Sequence, residues 1–179
     1  MKKNIYLEKK KEYIGIEFMT YEHIEEAMKL REQMYETIED ERIFAPAVRE
    51  DFVKAIEDGF GLICQAQTGM IACLLCNLEK VEYGVDRNYQ GEIMEQCADY
   101  VDVYVDKEYR GNGIQNLLEE KMVQLCRENG KKIIIGTVSP DNEPSYHNFK
   151  KAGYVEVDHK KKYGGLDRIF MEKRLDETD

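Results

Sequence analysis

Apolar residues recur along the chain with two periods, and these periods predict its secondary structure. An apolar residue at every second position, typical of a strand, is clearest at 14–18 and 101–105. Apolar residues three or four positions apart, typical of a helix, are strongest over 113–128, where Ile114, Leu118, Met122 and Leu125 share one stripe. The predicted strands are 14–18, 62–67, 70–78, 100–105, 132–138, 154–159 and 168–174, and the predicted helices follow Thr20 and cover 49–58, 113–128 and 144–152.

The order of these elements predicts an α+β fold. A strand, a helix and a second strand follow one another between 100 and 138, so the two strands should lie parallel with a right-handed crossover. Most other strands are joined by short turns such as Thr68-Gly69 and should pair antiparallel. We expect a mixed, mostly antiparallel sheet of about seven strands flanked by about four helices. A single domain over 1–179 is predicted, with a charged leader at 1–12.

The charge balance of the 179 residues is acidic. Asp and Glu number 36 against 26 Lys and Arg, which gives a formal net charge of −10. Such a chain repels phosphate backbones and anionic lipid, so neither nucleic acid nor a membrane is predicted as a partner. No stretch has the apolar length that spans a bilayer, and the basic N-terminal residues lack the apolar segment of a signal peptide. We therefore expect a cytoplasmic protein.

Cysteines are present in an odd number, five, and mostly lie among apolar neighbours. A disulfide framework would need paired cysteines in a short secreted chain. Cys73 and Cys76 form a CxxC pair, but it lies in a predicted strand, where residues three apart point to opposite faces. Buried thiols are predicted, with no metal site.

Segment 101–114 carries the most chemical information. It runs from a strand through a turn with Gly111 and Gly113 into the strongest predicted helix. Glycines allow the backbone to approach a ligand closely, and the first N–H groups of a helix bind anions. Arg110 adds a planar cation that suits phosphate oxygens. These features predict a pyrophosphate-binding turn, although a turn that only joins strand to helix would look the same.

Two common nucleotide-binding motifs are absent from this turn. The dinucleotide pattern GxGxxG fails because Asn116 stands at the third glycine position, and no GxxxxGK[ST] loop is present. The nucleotide therefore has to be identified from the surrounding sequence.

The surrounding sequence resembles the acetyl-coenzyme A loop of the GNAT family of N-acetyltransferases. The resemblance rests on Tyr-Arg-Gly-x-Gly-Ile at 109–114, followed by a helix with Leu117-Leu118, and on a downstream segment, 142–154, that contains Asn142, Phe149 and Gly153-Tyr154. It implies a sheet splayed between the strands at 100–105 and 132–138, with acetyl-CoA in the gap. The implied cofactor-binding residues are Val103, Tyr104 and Val105 along the strand, Arg110, Gly111, Asn112, Gly113, Ile114 and Gln115 in the turn, and Asn142 and Phe149 downstream. The family prefers a small residue where Gln115 stands.

The reaction implied by the resemblance is attack of an amine on the thioester carbonyl. Some family members place an acidic base four residues before the position of Val103, which is Asp99 here. A backbone N–H of the strand, that of Val105, would stabilise the oxyanion. Many relatives protonate the leaving thiolate with a tyrosine where this chain has Phe149, so Tyr146, one helical turn earlier, is predicted to substitute for it.

The acceptor is predicted from charge. The connection between Glu79 and Asp102 is rich in Asp and Glu, and this would attract a small cationic amine. A homodimer is compatible with the sequence. Two alternatives stay open: a GNAT-fold module that binds acyl-CoA or an amine with little turnover, and an unrelated nucleotide-binding protein whose turn only mimics the pattern.

Overall fold

The computed structural model describes residues 3–38 and 40–175 of the chain. These residues form two compact units. The first unit comprises 3–38, 46–76 and 102–122, and the second comprises 40–45, 77–101 and 123–175. Eight strands and six α-helices are present in the described residues. The strands are β1 (Lys3–Leu7), β2 (Glu12–Phe18), β3 (Gly59–Ala66), β4 (Gly69–Asn77), β5 (Cys97–Val105), β6 (Ile133–Val138), β7 (Val155–Lys162) and β8 (Leu166–Arg174), and the helices are α1 (Ile24–Tyr35), α2 (Arg49–Asp58), α3 (Glu82–Asp86), α4 (Glu92–Glu95), α5 (Ile114–Glu128) and α6 (Glu143–Lys151).

The strands form one sheet in the order β1-β2-β3-β4-β5-β6-β8-β7. The antiparallel pairs include β1 with β2, β2 with β3, β6 with β8 and β7 with β8. β5 and β6 pair parallel, with Cys97 opposite Ile133 and Tyr100 opposite Gly136 at the two ends of the register. The predicted α+β class, the mixed sheet and the parallel strand–helix–strand unit are therefore confirmed.

Three elements were not predicted, namely β1, α3 and α4. β1 lies within the predicted charged leader, of which residues 1 and 2 fall outside the described part. Its two apolar positions, Ile5 and Leu7, have only Tyr6 between them, which is too short a pattern to predict a strand. The two helices lie in a polar connection and have only five and four residues, too few for a helical period to show. The counts of about seven strands and about four helices thus rise to eight and six.

Each unit has its own buried side chains. In the first unit Phe52 of α2 stacks on Tyr104 of β5 with ring centroids 6.3 Å apart. In the second unit a buried cluster joins the start of β5 to β6, β8 and α3 through Cys97, Ile133, Ile135, Phe170 and Tyr83. Both sets fix strand β5, whose first half belongs to the second unit and whose second half belongs to the first.

All five cysteines are fully buried, as the sequence predicted. Burial raises the pKa of the Cys64 thiol to about 12 and that of Cys97 to about 11. Thiols in such surroundings are protonated at neutral pH and react slowly.

Candidate active site

The turn between β5 and α5, residues 106–113, holds both predicted glycines in the left-handed region. Gly111 has φ 74° and Gly113 has φ 75°, values that residues with a β-carbon adopt at a cost. Both are exposed, and a β-carbon built on either would meet no atom within 4 Å. The glycines are therefore required by backbone conformation, and the space in front of them is open to a ligand.

The backbone N–H groups of this turn point to an anion site. The first hydrogen bond of the helix runs from Leu117 N to Gly113 O, 3.1 Å long. None of the N–H groups of Gly111, Asn112, Gly113 and Ile114 donates to any residue in 3–38 or 40–175. They lie at the positive end of a helix of 15 residues. Four consecutive donors at a helix N-terminus can bind phosphate oxygens.

Side chains of the turn brace its shape without filling it. Asn112 Nδ2 donates to Tyr109 O at 2.9 Å, and Ile114 is buried in the core. Arg110 is exposed, and its Nε donates to Val105 O at 3.2 Å, which leaves its two terminal nitrogens for a ligand. Gln115, the departure from the family pattern, is half-buried at the start of α5. The predicted residues 110–115 thus follow β5 in the chain, and the bond from Arg110 to Val105 O ties the turn to the end of that strand.

Val103, Tyr104 and Val105 form the end of β5. The side chain of Tyr104 is buried, while Val103 and Val105, on the opposite face, are half-buried. The Tyr104 hydroxyl donates to Asp102 Oδ2 at 2.6 Å and accepts from Ala47 N at 2.9 Å. Tyr104 therefore anchors the strand through its side chain, and only its backbone can contact a ligand.

Asp102 is a carboxyl group in apolar surroundings. Burial raises its pKa to about 7, against the lowering effect of hydrogen bonds from Tyr104, Val103 and Ala47. Its carboxylate links β5 to the segment that precedes α2, because Ala47 N also donates to Oδ2 at 3.3 Å. This titrating group within the first unit was not predicted from the sequence.

Asp99, the predicted base, lies in the second unit and is buried. Its Oδ2 accepts from Glu82 N at 2.6 Å, and both of its oxygens are 3.3 Å from Tyr83 N. Asp99 therefore holds the N-terminus of α3 through these N–H groups. This contact spans 17 residues along the chain.

Tyr146, the predicted acid, lies on α6 and donates its hydroxyl hydrogen to Glu156 of β7. This bond raises the pKa of Tyr146 and lowers that of Glu156. His159 also contacts the Glu156 carboxylate, with Nε2 3.0 Å from Oε2. The phenol proton is therefore directed at a carboxylate in this structure, and catalysis by Tyr146 would require that bond to break.

Asn142 and Phe149, the two downstream residues, have structural contacts in the second unit. Asn142 caps α6, since its Oδ1 accepts from Ser145 N at 3.2 Å. Phe149 packs against Tyr154 at 5.0 Å and Tyr100 at 5.5 Å between ring centroids. Its ring also lies 2.8 Å from the position a β-carbon would take on Gly136, so that strand β6 requires glycine there. Their predicted contact with the cofactor stays a prediction.

A cluster around Tyr163, which the sequence did not indicate, lies in the same unit. The hydroxyl of Tyr163 is 2.7 Å from that of Tyr83 and 3.2 Å from Thr137 Oγ1. Arg168 lies over the Tyr163 ring, 5.6 Å from its centroid, and donates to Arg42 O at 3.2 Å. The hydrogen bonds among these residues join positions 26 to 126 apart in the sequence, which no local pattern encodes.

The acidic connection between Glu79 and Asp102 is partly neutralised by lysines. Lys162 Nζ lies 2.7 Å from Asp86 Oδ2, and Lys131 Nζ donates to the backbone carbonyl of Glu95 at 2.8 Å. An open cleft of about 720 Å³ within the second unit has charged residues of both signs along its wall. They are Glu79, Glu82, Asp86 and Glu95 with Lys80, Lys131 and Lys162. The excess of acid over base in this cleft is small.

The described residues were also compared with the requirements for a metal cluster and for a membrane-spanning helix. Within 3–38 and 40–175 no group of three or more His, Cys, Asp or Glu side chains is arranged to hold a metal ion. In the same part of the chain, every helix is too short or too polar to cross a bilayer.

The fold and the turn before α5 can now be compared with known proteins, and the comparison identifies the family. Residues 21–154 match the model of the acetyltransferase (GNAT) family. This chain belongs to the GNAT family of acetyltransferases, and the resemblance seen in its sequence is confirmed.

Curated relatives match over part of their length. An uncharacterized N-acetyltransferase of Methanocaldococcus jannaschii is 26% identical over 110 residues, 58% of this chain and 42% of that protein. The L-amino acid N-acyltransferase MnaT of Escherichia coli is 28% identical over 80 residues, 42% of this chain and 46% of that protein. The chain thus spans less than half the length of the curated relatives it matches.

Solved structures share the fold. That of yncA from Salmonella typhimurium, determined with its cofactor acetyl-CoA, has a TM-score of 0.68 at 14% identity and covers 92% of this chain and 95% of its own. At this identity the likeness establishes the fold alone.

Proposed function

We propose that this protein transfers the acetyl group of acetyl-CoA to a primary amine. The observation that carries the proposal is the series of N–H groups from Gly111 to Ile114, at the start of α5, that donate to no residue in the described part of the chain. Acetyl-CoA carries a diphosphate, whose oxygens would accept from several of these groups at once. The open space in front of both glycines and the exposed guanidinium of Arg110 support the same ligand.

The pantetheine arm would follow the end of β5 from this turn. Val103 to Val105 lead into the turn, and Arg110 connects the two through its bond to Val105 O. Backbone groups are the contacts available there, because the Tyr104 side chain is engaged with Asp102 and Ala47. The thioester would then lie beside the strand, with the Val105 N–H as donor to the oxyanion.

Direct attack is the chemistry we propose. The amine lone pair forms a bond to the thioester carbonyl carbon, the carbon–sulfur bond then breaks, and a base takes one amine proton. Alkyl ammonium groups titrate near pH ~10, so loss of a first proton precedes attack at neutral pH. Asp99 remains our candidate for this base, acting through its own carboxylate or a water, with a rate effect of ~10²–10⁴.

The leaving thiolate takes a proton to give coenzyme A. Phe149 has none to give, and Tyr146 is the candidate donor. A thiol of pKa about 8.5 is a tolerable leaving group without an acid, so the expected contribution of Tyr146 is modest. The bond from Tyr146 to Glu156 would have to open during turnover.

The acceptor we propose is a small amine, and two chemical classes have support. The acidic members of the cleft in the second unit favour a cationic amine. The likeness to MnaT, an L-amino acid N-acyltransferase, favours an amino acid. All five thiols are reduced and buried, which fits a cytoplasmic enzyme.

Calorimetry with acetyl-CoA tests binding, and ATP serves as the control because it offers a nucleotide and phosphates without the pantetheine arm. Binding of acetyl-CoA but not ATP supports the proposal; binding of neither, or of ATP alone, contradicts it. Release of coenzyme A is then followed with a thiol reagent over a panel of polyamines, amino sugars and amino acids. The buried cysteines will contribute little background. Tight binding without thiol release on any amine would instead identify a binding module.

A further inference from the structure

The turn between β1 and β2, residues 8–11, carries one of the two runs of three consecutive lysines in an acidic chain. It carries Lys9, Lys10 and Lys11 in a protein of formal net charge −10. The hairpin fixes its shape, because Lys10 N and Lys11 N both donate to Leu7 O, at 3.2 and 2.8 Å. Lys11 adopts a φ of 53°, so the turn closes through a left-handed residue.

Two of these lysines contact the turn between β5 and α5 within the first unit. Lys9 Nζ donates to Gly111 O at 3.0 Å, a contact across 102 positions of sequence. Lys10 Nζ lies over the ring of Tyr109, 4.7 Å from its centroid. Lys9 and Lys10 therefore contact the two residues that flank Arg110 in the sequence, Gly111 and Tyr109.

These cations lack the ion pairs expected in an acidic protein. No carboxylate in 3–38 or 40–175 pairs with Lys9, Lys10 or Arg110. Nearby acidic groups have other contacts: Asp106 Oδ1 accepts from Glu108 N at 2.8 Å, and Glu12 contacts Tyr109. Glu8 and Glu108 are exposed on the same turns. Positive charge held in this way is stabilised by a bound anion.

The direction of the Gly111 peptide indicates which anion. In a trans peptide the C=O and the following N–H point in opposite directions, and the chain has no cis peptide bond. Lys9 binds the C=O of Gly111, so it lies on the side of that peptide opposite to the N–H of Asn112. A phosphate bound to that N–H would therefore lie on the other side of the peptide from Lys9, and a phosphate that meets Lys9 would be a different group of the same ligand.

We propose that Lys9 and Lys10 bind the phosphomonoester on the ribose of coenzyme A, while the N–H groups of the turn between β5 and α5 bind its diphosphate. The proposal rests on the proposed function and extends it, since it assigns selectivity for a phosphorylated ribose to the β1–β2 hairpin. A lysine ammonium has three donors, of which Lys9 uses one on Gly111 O.

The test compares the binding of coenzyme A and 3′-dephospho-coenzyme A by calorimetry. The wild-type protein should bind coenzyme A about tenfold more tightly or better, the effect of one charge-assisted hydrogen bond. Lys9→Gln and Lys10→Gln together should remove most of that ratio and leave dephospho-coenzyme A within about twofold of wild type. Lys29→Gln, the same charge change on an exposed residue of α1, is the control and should leave the ratio unchanged.

Each alternative result is distinct. An equal loss for both ligands would mean that Lys9 only braces the turn, and it would overturn the proposal, as would an unchanged ratio. Failure of the wild-type protein to bind either ligand would instead refute the proposed function, and this inference with it. A thermal melt of each variant separates loss of a phosphate contact from loss of the fold.

Discussion

The hydroxyl of Tyr104 and the carboxylate of Asp102 lie 2.6 Å apart on strand β5, both directed toward the segment before α2. Ala47 N donates to the two of them, at 2.9 Å to the hydroxyl and 3.3 Å to the carboxylate. The bond satisfies two polar groups that would be costly to bury alone. It also fixes the strand end that leads into the turn between β5 and α5.

Asp102 makes the stability of the protein depend on pH. Its pKa is raised to about 7 in the folded state by burial, from 3.8 ordinarily. A carboxyl group whose pKa rises on folding contributes its full stabilisation at pH values below its pKa in the unfolded chain. That contribution is lost as the pH rises to its pKa in the folded protein. We expect the free energy of unfolding to fall between pH 5 and about 7 by up to about 1.4 kcal/mol per pH unit from this group.

Urea denaturation of wild type and Asp102→Asn across pH 5 to 8 measures this. The amide can still accept from Tyr104 but cannot ionise, so the variant should lack the slope. Parallel curves for the two proteins would show that the carboxyl is not desolvated.

Gly113 and Gly130 flank helix α5 and provide a matched pair of substitutions. Their φ values are 75° and 72°, and a β-carbon would meet no atom within 4 Å at either. Alanine should cost about 1–2 kcal/mol of stability at each position, from backbone strain alone. Only Gly113→Ala should weaken acetyl-CoA binding, by about tenfold or more, because its methyl enters the space assigned to the diphosphate. Calorimetry and thermal melts of both variants test this; equal affinities would remove the turn from the binding site.

Local chemistry in the sequence predicted helix α2 and the glycine turn before α5 well. Arg49–Asp58 was predicted with its observed bounds, because an apolar stripe and a following glycine define it locally. The turn with Gly111 and Gly113 was also predictable, because glycine is the residue that adopts left-handed conformations most readily. A family pattern around them then extended the prediction to a whole fold.

The partners of the predicted catalytic residues could not be read from the sequence. Asp99 was placed on its strand, but its bonds to the N–H groups of Glu82 and Tyr83 depend on α3, a helix of five residues with no periodic signal. The bond from Tyr146 to Glu156 joins a helix to a strand and depends on how the two pack. Such contacts are set by tertiary packing, which single-sequence patterns do not contain.

Asp99→Asn separates the role of a base from that of a helix anchor. The amide oxygen can still accept from Glu82 N, so α3 should persist and the melting temperature should shift by only a few degrees. If Asp99 is the base, kcat/KM at pH 7 should fall by ~10²-fold or more and recover partly at pH 9–10. Steady-state rates and melts across this range provide the measurement. A normal rate, or a loss matched by unfolding, would leave Asp99 as a structural residue.

If the acceptor is cationic, its KM should depend on the salt concentration. The acidic side chains of the cleft, such as Glu79 and Glu82, would attract a polyamine through charge that ions screen. We expect KM for a polyamine to rise several-fold between ~50 and ~300 mM salt, while KM for a zwitterionic amino acid changes little. Initial rates with both acceptors measure the difference. A polyamine KM that is independent of salt would argue against electrostatic attraction and favour the amino acid.

Tyr146 is tested together with its partner Glu156. If the hydroxyl protonates the leaving thiolate, Tyr146→Phe should lower kcat by about tenfold, at the low end for a general acid because the thiolate leaves readily. The bond to Glu156 raises the pKa of Tyr146, so Glu156→Gln should lower that pKa and leave kcat equal or higher. Thiol release under saturating acetyl-CoA gives kcat for both variants. Unchanged turnover in Tyr146→Phe would mean that the thiolate departs without this acid, and a loss in Glu156→Gln alone would show that Glu156 acts through a contact other than Tyr146, such as the one with His159.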